Sequence, residues 1–384
     1  MAHDGIIYLD HAATSWPKPP EVLDAMARAL GPAGGNPHRS AHRLALEAAR
    51  LVLEARSTVA AFLGVRDPRD LLFVPGCTFG LNMVLKGLLA PGDRVVVSSV
   101  EHNAVARPLA ALAASGVEVV QMPVDEAGRV DLDAAEELVA EAPTRAVVCQ
   151  HASNVTGAIQ PVADLADIAH EHGAVLVADG AQAAGHLKVD LAELGADAYV
   201  ASGHKGLLGP QGIGVVYLSP GLEVRELVQG GSGGDSGALS MPVVRPDRYE
   251  AGTPPVPAIA GLAAGVAVLG READELFEQE QRIARRLLEG LAAIPGMRVL
   301  GPVLGEERAP VVSVVHEEVE PDRLAYELDS RYGVAVRAGL HCAPAAHAAM
   351  GTAETGAVRF SVGRGVTEAD VDAAVEAVRE VCLA

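Results

Sequence analysis

The chain has 384 residues, 49% of them apolar, and a formal charge of −20 at pH 7. Because a single hydrophobic core stops growing at roughly 250–300 residues, this length predicts two domains. The acidic charge, without any basic run, argues against binding to nucleic acid or anionic membranes, and no stretch approaches the roughly 18 uninterrupted apolar residues of a membrane span. No basic region followed by an apolar one opens the sequence, so we expect a cytoplasmic protein without a secretory signal.

The cysteines are few and far apart. None of the four shows the CxxC spacing of a zinc site or the density of a disulfide framework. No metal site is therefore expected, and each cysteine has to be considered by itself.

Residues 71–219 carry the pattern of an α/β domain. Seven short β-branched runs predict strands: LLFV, RVVVSS, VEVVQMPV, RAVVCQHAS, AVLVAD, DAYVASG and GVVYLS. Helix-like stretches separate the first five, and strands that are apolar throughout indicate a mostly parallel sheet covered on both faces. The last two runs are joined by a glycine-rich loop too short for a crossover helix, so we expect them to be antiparallel neighbours.

A Gly/Pro-rich stretch then leads into a long helical pattern at about 258–294. Four further strands (RVLG, VVSVVH, VAVRAG and VRFSVG) and helices at about 321–332 and 367–382 predict a smaller α+β unit. We assign residues 15–257 to a large α/β domain, and residues 1–14 together with 258–384 to the small domain.

Polar side chains follow the predicted strands, where ligands of open α/β sheets bind. They are Thr78, His102, Ser153, Asn154, Asp179, Gln182, Ser202, His204 and Lys205. Singly, each has an ordinary explanation, such as a helix cap or a satisfied core histidine. Together they supply an anion-binding helix start, an imidazole, a carboxylate and a lysine flanked by glycines, which is the set that pyridoxal phosphate requires. We interpret the glycines around Lys205 as room for the cofactor and for movement of the lysine.

Several motifs carry a family resemblance: YLDHAATS, EHNAV, HASNVTG, DGAQ, SGHKGLLGPQG, YEAGTP and RAGLHCAP. In this order they resemble the cysteine desulfurase and selenocysteine lyase family, the class V branch of fold-type I pyridoxal phosphate enzymes. The resemblance spans the chain from about Tyr8 to the last helix and is closer to the group II branch. It implies a fold-type I transferase and a homodimer with the active site at the subunit interface.

The resemblance also implies a role for each cofactor residue. Lys205 would form the Schiff base, His102 would stack on the ring and act in catalysis, Asp179 would pair with the pyridine nitrogen, and Gln182 would reach the phenolic oxygen. The phosphate would be held by four side chains: Thr78, Ser202, His204 and, from the partner subunit, Thr253. Cys77 departs from the family pattern in the phosphate loop, where it would weaken that contact or leave it to a backbone N–H.

For the substrate, the resemblance assigns Arg359 to the carboxylate. It places Asn154 near that carboxylate and near the phenolic oxygen of the cofactor, and we add Arg337 to the substrate site. Cys342 lies in VRAGLHCAPAAH, five residues after Arg337 and directly after His341. Cationic neighbours favour a thiolate, so we interpret both residues as activating Cys342. We interpret Cys149 and Cys382 as structural.

The expected reaction converts L-cysteine to L-alanine and leaves sulfur as a persulfide on Cys342, which a thiol or an acceptor protein unloads. Only 16 residues separate Cys342 from Arg359, so the persulfide cannot travel far. Leu340 stands where the group II branch often has a second histidine, which leaves the substrate and the acceptor open. Arg39 and His42 are candidates for active-site neighbours, with solvated or interface roles as the open alternatives.

Other readings stay open on the same scaffold. A selenocysteine lyase or a cysteine/cystine C–S β-lyase would not carry sulfur on Cys342. An aminotransferase or epimerase would not need this cysteine at all, and a non-catalytic sulfur-relay protein would lack the cofactor.

Overall fold

The structure is a computed structural model that describes residues 5–37, 42–232 and 237–384. Its strands are β1 (Ile7–Tyr8), β2 (Leu71–Val74), β3 (Arg94–Ser98), β4 (Glu118–Met122), β5 (Ala146–Gln150), β6 (Val175–Asp179), β7 (Ala198–Ser202), β8 (Gly214–Leu218), β9 (Met297–Leu300), β10 (Val311–His316), β11 (Val334–Ala335), β12 (Arg337–Gly339) and β13 (Ala357–Ser361). Its α-helices are α1 (Pro20–Leu30), α2 (Arg43–Phe62), α3 (Cys77–Leu88), α4 (Asn103–Ala113), α5 (Leu132–Glu141), α6 (Val162–Glu171), α7 (Val256–Ala292), α8 (Pro321–Tyr332), α9 (Pro344–Ala349) and α10 (Glu368–Cys382).

The larger unit is built on a seven-stranded sheet in the order β2-β8-β7-β6-β5-β3-β4. Strand β8 runs antiparallel to both of its neighbours, β7 and β2, and the other pairs are parallel. The predicted mostly parallel sheet and its antiparallel pair are therefore confirmed. Adjacent residues such as Val95 and Val96 belong to two different core clusters, because alternate side chains point to opposite faces. Both faces are buried, which explains why the strands are apolar throughout.

The smaller unit contains a four-stranded antiparallel sheet in the order β12-β13-β10-β9. The run VAVRAG, predicted as one strand, divides at Val336. Its first part, β11, pairs in parallel with β1, and its second part, β12, pairs with β13. The split arises because two different partners bind one segment, which no local pattern reveals. Leu9 lies in the core of this unit, so the N-terminal segment packs there.

Helix α7 joins the two units. Its N-terminal part, from Ile259 to Leu276, contributes to a core cluster of the larger unit, whereas Ile283 and Leu291 lie in the core of the smaller one. The boundary at residue 258 stays a prediction about domain organisation, but the packing places the N-terminal part of α7 with the larger unit. Among the described helices, α7 alone is long and apolar enough to span a membrane, and half of its most apolar window is buried. We assign it as a core helix, because it packs along α1, α2 and α10.

Candidate active site

A cavity of about 370 Å³ opens at the carboxyl ends of the parallel strands. Side chains that follow β2, β3, β5, β6 and β7 form its floor, and the small unit closes one side with Arg337, His341 and Arg359. The structure brings eleven of the predicted site residues to this cavity: Cys77, Thr78, His102, Asn154, Asp179, Gln182, Ser202, His204, Lys205, Arg337 and Arg359. Their separate chemical roles stay predictions.

Three other predicted residues do not line the cavity of this chain: Cys342, Thr253 and Ser153. Cys342 is exposed beside it, next to His341, which does line it. Thr253 is exposed as well, and its assignment to a partner subunit stays a prediction. Ser153 is fully buried, and its hydroxyl accepts hydrogen bonds from the Val155 and Thr156 amides. It is therefore a turn residue and not part of the site.

Lys205 lies in the turn after β7, where burial lowers the pKa of its amine against the opposing charge of Asp179. A lowered pKa reduces the cost of the neutral amine, which is the nucleophilic form. The preceding carbonyl, that of His204, is held by the N-terminal segment. It accepts hydrogen bonds from the Ser15 amide at 3.0 Å and from Lys18 Nζ at 2.6 Å. The backbone at Lys205 is thus fixed before any ligand binds.

The glycines beside Lys205 allow neighbouring backbone segments to pack closely against this turn. A Cβ at Gly206 would lie 2.4 Å from the carbonyl oxygen of Ala184, and one at Gly203 would lie 2.7 Å from that of Ile213. Such distances are shorter than real contacts of a Cβ atom. This corrects the interpretation of the glycines as room for the cofactor: neighbouring backbone segments fill the space.

Asp179 ends β6, in the floor of the cavity, and is only 4% exposed. Its Oδ1 accepts a hydrogen bond from the Ala181 amide at 2.9 Å, and the thiol of Cys77 donates to the same oxygen at 3.5 Å. Burial, with the charge of Asp179, raises the pKa of Cys77 well above its usual value, so the thiol stays protonated. Cys77 thus faces the carboxylate. Of the two expectations for Cys77, this orientation favours the one that leaves the phosphate contact to a backbone N–H.

The sequence predicts an anion site at the start of α3, and the backbone there is open. Gly76 caps the helix with φ of 102°, and a Cβ there would meet nothing within 4 Å. Thr78 follows in the first turn and is exposed to the cavity. The unpaired N–H groups of a first helical turn, together with the helix dipole, favour a phosphate group at this position.

His102 caps α4, and its Nδ1 accepts a hydrogen bond from the Ala104 amide at 3.0 Å. Burial lowers its pKa although Asp179 opposes the shift, so the ring is neutral. Because Nδ1 is an acceptor here, the proton of the neutral ring lies on Nε2. His204 is neutral too, since burial lowers its pKa to about 4. It therefore offers a phosphate a hydrogen bond and no positive charge.

Arg359 and Asn154 leave unpaired polar atoms at the cavity. Arg359 is 1% exposed, and its Nη2 donates to Asp10 Oδ1 at 2.8 Å. Its Nε and the Oδ1 of Asn154 are buried without a hydrogen-bond partner among the described residues. Buried polar groups are normally satisfied, so these atoms indicate places for groups of a ligand. Gln182, by contrast, donates its amide to the Ala12 carbonyl at 2.9 Å, from the edge of the cavity.

The surroundings of Cys342 differ from the expectation in one respect. Arg337 Nη2 donates to Cys342 Sγ at 3.4 Å, which is the predicted cationic contact. His341, however, is 2% exposed, and burial lowers its pKa to about 3. A neutral imidazole cannot provide positive charge at neutral pH, so the prediction that His341 activates Cys342 as a cation was wrong. Cys149 is buried, in keeping with a structural role.

Three ionisable residues near the site were not predicted from the sequence. Asp10 binds Arg359, and Lys18 holds the backbone before Lys205, with its pKa lowered to about 8 by burial. Glu101, which directly precedes His102 in the chain, is 2% exposed, and burial raises its pKa to about 8. Its carboxyl group accepts a hydrogen bond from the Gln150 amide. Asp10 and Glu101 stand inside the quoted motifs, and that was the available signal.

Of the two remaining candidates, His42 does not line the cavity. His42 caps α2, where its Nδ1 accepts from the Ala45 amide. Arg39 lies outside the described residues.

Comparison with known proteins identifies the enzyme family that has this fold. Residues 7–374 match the aminotransferase class-V family, so the chain belongs to that family. It is 38% identical over 353 residues to a probable cysteine desulfurase of Pseudomonas aeruginosa, covering 89% of this chain and 86% of the relative. It is 34% identical over 393 residues to a cysteine desulfurase of Haloferax volcanii, covering 98% and 90%. The apo structure of a cysteine desulfurase from Thermococcus onnurineus superposes with a TM-score of 0.91 at 31% identity, over 98% and 95% of the two chains.

Proposed function

We propose that this protein is a pyridoxal phosphate-dependent cysteine desulfurase that converts L-cysteine to L-alanine and carries the sulfur on Cys342. One observation carries the proposal: Lys205 and Asp179 face a single cavity, beside which Arg337 contacts the exposed thiol of Cys342. The membership of the aminotransferase class-V family and the relatives named cysteine desulfurase support it.

The residues present fit pyridoxal phosphate. The open start of α3 fits a phosphate. Asp179 is a buried carboxylate whose hydrogen bonds come from the Ala181 amide and the Cys77 thiol, and no cationic side chain among the described residues forms a hydrogen bond with it. Such a carboxylate suits the protonated pyridine nitrogen. When bound, the cofactor supplies an electron sink for carbanion chemistry at the substrate. The unpaired Nε of Arg359 is available to the substrate carboxylate, for which a guanidinium fork is well suited.

Proton movement is assigned to Lys205, because burial lowers the pKa of its amine and so reduces the cost of the neutral form. His102 lines the same cavity and carries its proton on Nε2. For the sulfur transfer, the thiolate of Cys342 attacks the sulfur of L-cysteine. A sulfur–sulfur bond forms as the carbon–sulfur bond breaks, and the electron pair stays with the carbon, which is protonated to give alanine.

The products of a reaction with L-cysteine test the proposal. The purified protein is incubated with L-cysteine and a reductant, and alanine and pyruvate are quantified. We expect alanine from the unaltered chain and from Cys382→Ala, and none from Cys342→Ala. Lys205→Ala should lose the visible absorbance of lysine-bound pyridoxal phosphate. Pyruvate that persists in Cys342→Ala would instead identify a C–S β-lyase.

A homodimer and a cytoplasmic location belong to the same proposal. Leu239, Val243 and Val244 are exposed hydrophobic residues, and they lie in the segment that leads to Thr253, so a second copy of the chain would bury apolar surface there. Sedimentation analysis tests the dimer, and a weaker cofactor affinity of Thr253→Ala would support a contribution across the interface. All four cysteines are free thiols, which suits a reducing compartment.

A further inference from the structure

The loop that presents Cys342 has an unusual backbone. His341 and Cys342 have φ angles of 50° and 58°, so two consecutive residues that are not glycine adopt the left-handed conformation. Residues with side chains adopt it rarely, and they persist in it only where their surroundings hold them. The surroundings of this loop therefore have to supply that restraint.

Two contacts hold the carbonyl groups of the loop. The Asn103 amide, at the start of α4, donates to the Cys342 carbonyl at 2.8 Å. The side-chain amide of Asn154 donates to the His341 carbonyl at 2.7 Å. Both donors belong to the larger unit, so they fix the loop against the cavity. Neither of them restrains the imidazole of His341.

A buried chain of three side chains restrains that imidazole. His341 Nε2 lies 3.0 Å from the Arg337 carbonyl, His341 Nδ1 lies 3.1 Å from His347 Nε2, and His347 Nδ1 lies 2.8 Å from Thr352 Oγ1. His347 is completely buried, and His341 and Thr352 are each 2% exposed. No solvent competes for these hydrogen bonds, so each of them contributes to the geometry.

The Arg337 carbonyl, at one end of this series of hydrogen bonds, fixes the direction of each of them. A carbonyl oxygen only accepts, so His341 donates from Nε2 and accepts at Nδ1. His347 then donates from Nε2, and its Nδ1 accepts the hydroxyl proton of Thr352. Burial lowers the pKa of His341 to about 3 and that of His347 to about 4, so both rings are neutral as this pattern requires. Because this series of hydrogen bonds ends on the Arg337 carbonyl, it cannot pass a proton onward, and its effect is to orient the two imidazole rings.

We propose that His347 is a positioning residue for Cys342: through His341 it holds the left-handed loop and the backbone of Arg337, so that the sulfur and the guanidinium stay in contact. The inference rests on the proposed function in that Cys342 is taken as the sulfur carrier. The Arg337 residue is held twice, since its carbonyl accepts from His341 while its guanidinium donates to Cys342 Sγ at 3.4 Å. Loss of the His347 donor releases His341, and the two ends of the contact then move independently.

The test compares His347→Leu, which removes the donor, with His347→Gln, whose amide can donate to His341 and accept from Thr352. Two quantities are measured on the cofactor-loaded protein: the rate of alkylation of Cys342 by iodoacetamide, followed by peptide mass spectrometry, and kcat and KM for alanine formation from L-cysteine. Alkylation of Cys382, which is half-buried in α10, is the internal reference. The visible absorbance of the bound cofactor reports whether the rest of the site is intact.

In His347→Leu we expect alkylation of Cys342 to slow about threefold, the size that a contact between an exposed sulfur and a guanidinium supports. We expect kcat to fall at least about tenfold, because misplaced reacting groups lose rate, while KM stays within about twofold. His347→Gln should restore both quantities to within about twofold of the original protein, because it restores the donor. Cys382 alkylation and the cofactor absorbance should not change.

Two results would overturn the inference: no change at Cys342 in His347→Leu, or an equal loss in His347→Gln, which would show that volume and not the hydrogen bond matters. If His347→Leu does not fold, Thr352→Val is measured instead. This substitution keeps the side-chain volume but removes the hydroxyl that makes His347 Nδ1 an acceptor and thereby Nε2 the donor to His341. An unchanged alkylation rate of Cys342 in Thr352→Val would also overturn the inference. The alkylation measurement needs no turnover. A protein that forms no alanine would therefore refute the proposed function while the positioning of Cys342 is still decided.

Discussion

Three buried histidines make the stability of this protein sensitive to acid. His11, His151 and His341 are 2%, 7% and 2% exposed. Burial lowers their pKa values to about 3, about 4 and about 3. In the unfolded chain a histidine titrates near 6.5. Between these values the unfolded state binds more protons than the folded state, so the free energy of unfolding falls as the pH falls.

The magnitude follows from these pKa values. The contribution of each histidine is fully present above about pH 6.5 and is lost progressively as the pH falls toward the folded-state pKa. At pH 5 the loss is about 2 kcal/mol for each histidine, or about 6 kcal/mol for the three as an upper bound. Because the whole stability of a domain is about 5–15 kcal/mol, we expect a large fall in the unfolding midpoint between pH 7.5 and pH 5.

His151→Gln provides the assay for a single residue. His151 Nδ1 contacts the Tyr199 hydroxyl at 3.1 Å, and glutamine keeps a polar group there but does not titrate. Thermal unfolding is followed by circular dichroism at pH 7.5 and pH 5, with the exposed His172→Gln as the control. The variant should lose about 2 kcal/mol less than the original protein over this interval. If the free energy of unfolding of His151→Gln fell between pH 7.5 and pH 5 by as much as that of the original protein, the reasoning would be refuted.

Two further substitutions test the site and its supporting backbone. In Asp10→Asn, Arg359 loses its charged partner and we expect KM for L-cysteine to rise about tenfold, the equivalent of one charge-assisted hydrogen bond; a lower KM in steady-state assays would show instead that Asp10 competes with the substrate. In Gly206→Ala, the new Cβ would lie 2.4 Å from the Ala184 carbonyl, so the free energy of unfolding should fall by about 2 kcal/mol or more. Gly270→Ala in α7, where a Cβ would meet nothing within 4 Å, should not be destabilised in the same denaturation experiment, and an equal loss in both would contradict the steric argument.

Much of the fold follows from local sequence pattern. All seven strands of the larger sheet were predicted, because each is a short β-branched run bounded by loop residues, and this signal is local. The gathering of Thr78, His102, Asp179 and Lys205 in one cavity was also predictable, since the carboxyl ends of parallel strands share one edge of a sheet. Only the alternation of strands and helices was needed for that step.

The sequence by itself therefore determined the architecture, the location of the cavity and the candidates for its chemistry. The tertiary structure decided the interactions between them. Asp10 and Arg359 are 349 residues apart in the chain and meet because the segment after β1 pairs with β13, where Asp10 forms a bridge with Ser361. His341 looks like a cation beside Cys342 in the sequence, yet burial makes it neutral, since the pKa of a group depends on the solvent and charges that the fold leaves around it. Contacts and burial of this kind arise between distant segments, and no local pattern encodes them.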